Sequence, residues 1–380
     1  MPEPFAADGP ADPLSRQLDP PGYVLDVRPD RPPPSQPRGR AGRGPPLPCV
    51  LLLSRSRDAE LDAVGALLAR VQIPAARVNA DELAAADLLI DPGRGAVRLD
   101  NRWLTPTVTW IRHFSERAIA GSDRPARDLF LRDSWRTAAA QLAALAPAAI
   151  GTRNPGLLEQ LRAAEQCRVA VPRTVVTTDL AAARDVLGAD RRLIVKALDE
   201  HFVETDPGWL AGVFPVVADF PRLPSAARPG APVIVQEHVE HDAELRVYYA
   251  GGQVHGFVVG KQAAADPWRA PGRVTAQETE LPAAVDVATR RLAEGLSLRY
   301  GAFDFLLRDQ TPVFLEANPA GDWLWAERRA GTATVTLACA RMLCDLHRLR
   351  RQSRTAPGTG TGGRFDLLSF LSRPGSAVSR

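Results

Sequence analysis

The sequence predicts an α/β (α+β) fold in two domains, and three observations carry that expectation. First, "PCVLLLSRS" reads as a buried strand and passes into a helix-period stretch from Asp58 to Val71, a β–α opening with Asp58 placed to cap the helix. Second, the pattern restarts near residue 150, where helices and short apolar strands alternate once more. Third, the last strands form a hairpin, "GAFDFLLRDQTPVFLEANP", whose second strand ends in Glu-x-Asn-Pro rather than in a simple turn.

In chain order, residues 1–47 are rich in proline, arginine and glycine and read as a disordered arm, because such a composition buries too little apolar surface to offset its ordering entropy. Residues 48–150 form a small α/β domain. Its strands lie in "ARVNADEL", "DLLIDPGRGAVRLDNRWL" and "TVTWIRHF", its turns at Pro92-Gly93 and Asp100-Asn101, and a helix from about Ala126 to Ala148 closes it. Residues 151–350 form the second domain. Helices are expected over Gly156 to about Gln166, Asp179 to about Leu187, Ala283 to about Leu296 and Thr334 to about Leu349. Strands are expected at Arg173 to Thr177, in "RRLIVKALDE" and in "APVIVQEHVE", with a hairpin about Gly251-Gly252. Residues 351–380 read as a flexible tail.

Composition excludes several function classes. The net charge of +3 is too small for a duplex nucleic-acid footprint, and no apolar run is long enough to span a bilayer, so the expected setting is cytoplasmic. The four cysteines form no CxxC pair and have no zinc-like histidine spacing; they read as reduced core thiols. The six histidines suggest no metal site and no nucleophile partner. Of 47 basic residues, 45 are arginines, and the two lysines, Lys196 and Lys261, both fall at strand ends. In so arginine-rich a chain, a retained lysine points to a need for a compact ammonium.

The final hairpin carries the candidate chemistry. A symmetric pairing about Gln310 sets Asp304 opposite Glu316, and Asn318, two residues on, shares the face of Glu316. Opposed carboxylates repel unless a cation lies between them, and two carboxylates with an amide oxygen suit Mg²⁺. An exposed hairpin with solvated acids is the alternative. Magnesium held by few protein oxygens usually serves phosphates, so cationic groups should accompany it: Lys196, Lys261 and Arg246 of "ELRVYY" are the candidates. "VIVQEHVE" offers a strand edge to a purine.

The order of a lysine-bearing strand, "QEHV", "ELR", "GAFDF" and "FLEANP" resembles the ATP-grasp carboxylate ligases over roughly residues 150–350, and the 48–150 unit matches their pre-ATP-grasp domain. "FLEANPAGDWLWAE", with "DPWR" before it, is similar to the graspetide (microviridin-type) ligases that mature ribosomally made peptides. That resemblance implies ATP and Mg²⁺ as cofactors and a short precursor peptide as partner. A substrate Asp or Glu would be activated as an acyl phosphate and attacked by a Thr or Ser hydroxyl (ω-ester) or a Lys amine (ω-amide). It further implies ATP contacts at Lys196, Gln236, Glu237, His238 and Val239, catalytic roles for Arg246 and Lys261, and metal ligation by Asp304, Glu316 and Asn318. Members of that branch are often dimers, so a homodimer is an expectation. An ATP-dependent ligase of small carboxylates and amines would use the same residues, and a non-catalytic nucleotide- or peptide-binding scaffold would keep the fold.

The departures from that pattern are local. Leu157 stands where a lysine is usual, no glycine-rich lid is visible after Lys196, Gly321-Asp322 replaces Gly-Gln, and "DPWR" carries an inserted proline. Trp323 and Trp325 have two readings, packing at a domain seam or walls of a water-poor cleft. Arg269 and Arg112 are candidates for steering acidic peptide side chains, against the alternative of solvated surface charge.

Overall fold

The computed structural model describes residues 24–26, 45–119, 125–188, 192–198, 202–206, 209–212, 215–219, 231–262 and 271–355. Within the arm, Val24–Asp26 forms a strand, β1. The first domain then runs β2 (Leu47–Ser54), α1 (Ala59–Arg70), β3 (Ala75–Asn79), β4 (Leu88–Asp91), β5 (Ala96–Leu99), β6 (Arg102–Ile111), α2 (Pro125–Leu145) and β7 (Ala148–Ile150). Asp58 caps α1, its carboxylate accepting from the Leu61 amide. Asp100 and Asn101, both at positive φ, make the turn between β5 and β6. The sheet order is β3-β2-β6-β5-β4, with β7 also on β6; β2, β3, β6 and β7 are parallel.

The second domain continues as α3 (Leu157–Gln166), β8 (Thr174–Thr177), α4 (Leu180–Leu187), β9 (Arg192–Ala197), β10 (Phe202–Asp206), β11 (Trp209–Gly212), β12 (Val216–Asp219), β13 (Val233–Glu237), β14 (Ala243–Ala250), β15 (Gln253–Gly260), β16 (Thr275–Thr279), α5 (Ala283–Gly295), β17 (Tyr300–Arg308), β18 (Thr311–Asn318), α6 (Leu324–Ala330) and α7 (Thr334–Thr355). It holds two larger antiparallel sheets, β12-β9-β13-β8 and β16-β15-β14-β17-β18, and a small one, β1-β11-β10. The sequence pattern did not reveal β1, β7, β10, β11, β12, β16 or α6; the helix expected to reach Ala148 ends at Leu145, and Ala148 opens β7. In β16, "TAQET", Ala276 alone is buried, because an edge strand needs little inward apolar surface. Helix α7 runs six residues past its expected end near Leu349.

The five-stranded sheet has two different faces. One buries Leu245, Val247, Phe303, Phe305, Phe314 and Ala317 against α3 and α5. The other is dry only at one end, where Tyr248, Ala250, Tyr300 and Ala302 join Val50, Leu52 and Trp110 of the first domain and the inner face of α7 in one core. The two domains therefore share a core across their seam. Gly251, at φ 57, turns the β14–β15 hairpin so close to α7 that a Cβ there would lie 2.7 Å from the Met342 side chain. Cys49 and Cys339 are free and buried, and burial pushes the Cys49 thiol up to about 12, which keeps it unreactive. No helix among the described residues is long and apolar enough to cross a membrane.

Candidate functional site

Beyond its dry end, the same sheet face carries a row of charge. Arg246 on β14 pairs in register with Asp304 on β17, which pairs with Glu316 on β18. The opposition of the two acids depends on an irregularity. From the two-residue Asp309-Gln310 turn, the ladder runs Arg308 to Thr311 as far as Phe305 to Phe314, and one more regular step would set Asp304 against Leu315. A β-bulge at Leu315 absorbs that residue, so Glu316 and Asn318 point to the site face and Ala317 to the core.

The row is internally neutralised. Arg246 Nη1 donates to both oxygens of Asp304, at 2.8 and 2.6 Å. Lys196, 9% exposed on β9, reaches across from the four-stranded sheet to Glu316 at 3.2 Å, so the two larger sheets face each other over this pair. Lys261 binds Glu244 at 2.7 Å. Burial raises the Asp304 carboxyl above its ordinary range; Arg246 opposes the rise and Glu316 adds to it. Burial alone would lower Arg246, but Asp304 holds it firmly protonated. Asn318 Oδ1 accepts from the Ala320 amide at 2.9 Å, which fixes the side chain at the strand end.

Among the described residues no three His, Cys, Asp or Glu side chains gather into a cluster. The donor set here is two carboxylates and one amide, all hard oxygen and held on adjacent strands, and it fits Mg²⁺ rather than a softer metal. Its present partners are two cations that phosphate groups can attract away.

The segment expected to offer a strand edge to adenine lies inside its sheet instead, with β13 paired to both β9 and β8; there Gln236 is buried and donates to Thr174 Oγ1 at 2.9 Å. Glu237 accepts from the Arg173 amide through Oε1 at 3.0 Å. The Glu237 and His238 amides donate to the carbonyls of Arg173 and Arg192, both at 2.9 Å, so these two groups serve the sheet. Val239 is buried with Leu306 and Val313 in a small apolar cluster against which Leu315 packs.

After Asn318 the chain turns back over the sheet. A Cβ at Gly321 would lie 2.5 Å from the Ala302 Cβ and 3.4 Å from Arg246 Nη2, so a glycine is needed for this approach. The Gly321 carbonyl accepts from Tyr300 Oη and, at 3.2 Å, from Arg112 Nη2; the Asp322 carbonyl accepts from Tyr248 Oη at 2.7 Å. Arg112 is not a solvated surface charge. Its side chain is fully buried between Asp58, at 2.8 Å, and the Asp322 carboxylate, with its guanidinium 4.6 Å from the Trp323 ring centroid. His113 also binds Asp322, at 2.8 Å, a role that its spacing did not reveal. Burial alone would raise the Asp322 carboxyl, but the His113 bond and the Arg112 charge hold it well below the ordinary carboxylate range.

Trp323 lies in the seam. It is fully buried, stacks on Trp110 of the first domain with 6.1 Å between centroids and 11° between planes, and donates to Thr336 Oγ1 at 2.8 Å. Thr336 in turn donates to Glu327 through its hydroxyl at 2.6 Å and its amide at 2.8 Å, so Glu327 caps the start of α7. Trp325 is partly buried, donates to the Asp322 carbonyl at 3.0 Å and lies 5.5 Å from Arg329. Arg269 falls outside the described residues.

Two antiparallel sheets bridged by the Lys196–Glu316 pair, one of them packed on a smaller domain with a mixed sheet, match a set of solved structures. The macrocyclase MdnC from Microcystis aeruginosa MRC, bound with precursor peptide MdnA, superposes with a TM-score of 0.64 at 20% identity, over 78% of this chain and 99% of that one. The chain has the ATP-grasp fold. An ATP-grasp ligase from Chryseobacterium gregarium associated with ribosomal peptide maturation, in complex with ADP and a leader and core peptide, gives 0.64 at 19% identity, over 79% of this chain and 97% of that one. The ligase PsnB, complexed with minimal precursor, Mg and ADP, gives 0.63 at 18%, over 78% and 98%. No family model matches the chain, and no curated protein matches its sequence.

Proposed function

We propose that this protein is an ATP-dependent ligase that closes rings on a ribosomally made precursor peptide, in the cytoplasm, with ATP and Mg²⁺. The observation that carries the reading is the continuous row Arg246, Asp304, Glu316 and Lys196 at the mouth between two ATP-grasp sheets. The peptide-bound and nucleotide-bound neighbours of this fold support it.

In this reading Asp304, Glu316 and Asn318 hold Mg²⁺, which when bound offsets the charge of the nucleotide phosphates. Arg246 and Lys196 leave their carboxylate partners for phosphate oxygens, and Lys261 adds a further cation from the end of β15. A purine would rest on Val239 and meet the backbone at or beyond it, because the Glu237 and His238 amides already serve the sheet. A substrate Asp or Glu oxygen attacks the γ-phosphorus and ADP leaves. A Thr or Ser hydroxyl, or the neutral amine of a Lys, of the same peptide then attacks the acyl carbon, the bond from that carbon to the phosphate oxygen breaks, and the nucleophile's proton passes to the departing phosphate. The protein supplies no nucleophile; it positions two side chains and stabilises developing negative charge.

Intact mass of a candidate precursor after incubation with the protein, ATP and Mg²⁺ tests this. The expected result is loss of one water per ring, absent with Glu316→Ala. ATP turnover on small carboxylates and amines without any peptide change would replace this reading with a small-molecule ligase.

A further inference from the structure

The bulge that sets Glu316 opposite Asp304 needs something to hold it. β18 is the last strand of its sheet, and a bulged edge strand is free to slip by one residue, which would turn Glu316 away from the site. Two contacts on its open edge bracket Leu315. On one side the Phe314 amide donates to the Ala170 carbonyl at 2.8 Å. On the other, the carboxamide of Gln160 stands in for a missing strand: Oε1 accepts from the Ala317 amide at 2.7 Å and Nε2 donates to the Ala317 carbonyl at 2.9 Å.

Gln160 lies on α3, is 6% exposed, and its Nε2 also donates to the Pro155 carbonyl at 2.7 Å. That bond fixes which end of the amide faces which group of Ala317. Glutamine serves here because its donor and acceptor sit on one planar group with the spacing of a backbone neighbour; a carboxylate or a leucine offers only half of this, or none.

Resting on the ligase reading of the site, we propose that Gln160 is a positioning residue: its clamp on Ala317 locks the bulged register and thereby aims Glu316 and Asn318, the residues on either side, at the metal. Gln160 itself touches neither nucleotide nor metal.

The test is calorimetric binding of ADP with and without Mg²⁺ to the full chain and to Gln160→Leu and Gln160→Glu, alongside their thermal midpoints. Outer partners of metal ligands typically act on metal affinity by about 10- to 100-fold. The expected result is that the gain in ADP affinity on adding Mg²⁺ falls by about tenfold, in that range, while Mg²⁺-free ADP affinity stays within about twofold. If Gln160→Leu does not fold, Gln160→Glu, which keeps an acceptor for the Ala317 amide, carries the comparison. Folded variants with an undiminished Mg²⁺ gain would overturn the proposal, as would equal loss of both affinities, the mark of a merely structural side chain. If the unaltered protein shows no Mg²⁺ gain at all, the ligase reading itself fails, a result distinct from failure of the clamp.

Discussion

Both carboxylate oxygens of Asp304 accept from a single guanidinium nitrogen of Arg246. With Lys196 on Glu316 and the Ala320 amide on Asn318, each candidate metal ligand already has a donor. Mg²⁺ alone would have to displace two cations from a partly buried site, leaving them without partners. A nucleotide supplies the replacement anions, so metal and nucleotide should bind cooperatively. Coupling of about 5- to 150-fold is the usual range for linked sites, and it is reciprocal. Titration of Mg²⁺ alone should therefore give weak heat, with affinity rising by at least about tenfold at saturating ADP. Equal Mg²⁺ affinity with and without ADP would contradict the exchange.

Arg246 is expected to do more than balance Asp304. Arg246→Lys keeps the charge, and thus a partner for Asp304, but loses the planar fork. The fold should survive and ADP should still bind, because the retained ammonium can still meet a phosphate. Ring closure on a precursor should fall by about 100- to 1000-fold in kcat, the scale seen when one preorganised donor to a developing oxyanion is removed. A kcat within a fewfold of the unaltered protein would place Arg246 outside the chemistry.

The strands that carry the site were legible as short apolar runs, and the Asp304–Glu316 pairing could be read from hairpin symmetry. The symmetry arises differently from the simple reading: the turn is centred between Asp309 and Gln310, and the bulge at Leu315 restores the opposition. Nothing local in "FLEAN" marks a bulge, since it is set by neighbours such as Ala170 and Gln160. Arg112 was illegible for a related reason. Among 45 arginines a buried one looks like the rest, and its partners Asp58 and Asp322 lie 54 and 210 residues away.

The placement of Trp323 moves its expected effect from chemistry to stability. Removal of a fully buried tryptophan costs about 3–5 kcal/mol in typical cores, and here the stack on Trp110 and the bond to Thr336 go with it. Trp323→Ala should lower the urea midpoint by a corresponding amount. Trp323→Phe, which keeps much of the packing and loses the indole donor, should cost about 1 kcal/mol. A Trp323→Ala protein of unchanged stability that hydrolyses ATP without peptide would instead restore the cleft-wall reading.

The same seam should be acid-sensitive. Burial opposes ionisation of Asp58, but Arg112 and Ser54 hold its carboxyl below the ordinary range, as His113 and Arg112 do for Asp322. In the unfolded chain both take up protons near about 3.9, whereas the folded chain keeps them ionised to lower pH. The unfolded state thus binds more protons in that window, so this stabilisation is present above about pH 4 and is lost as the pH falls through the depressed folded values. Asp322 is about half-exposed, so solvent screens its share, and Asp58, with no exposed side chain, should carry more. Urea unfolding measured from about pH 5 to about pH 3 should show a falling midpoint, with a shallower fall in Asp322→Asn because that variant no longer has a carboxyl to protonate. Parallel curves for the two proteins would mean that Asp322 is not linked to folding and that its bonds to Arg112 and His113 do not hold the domains together.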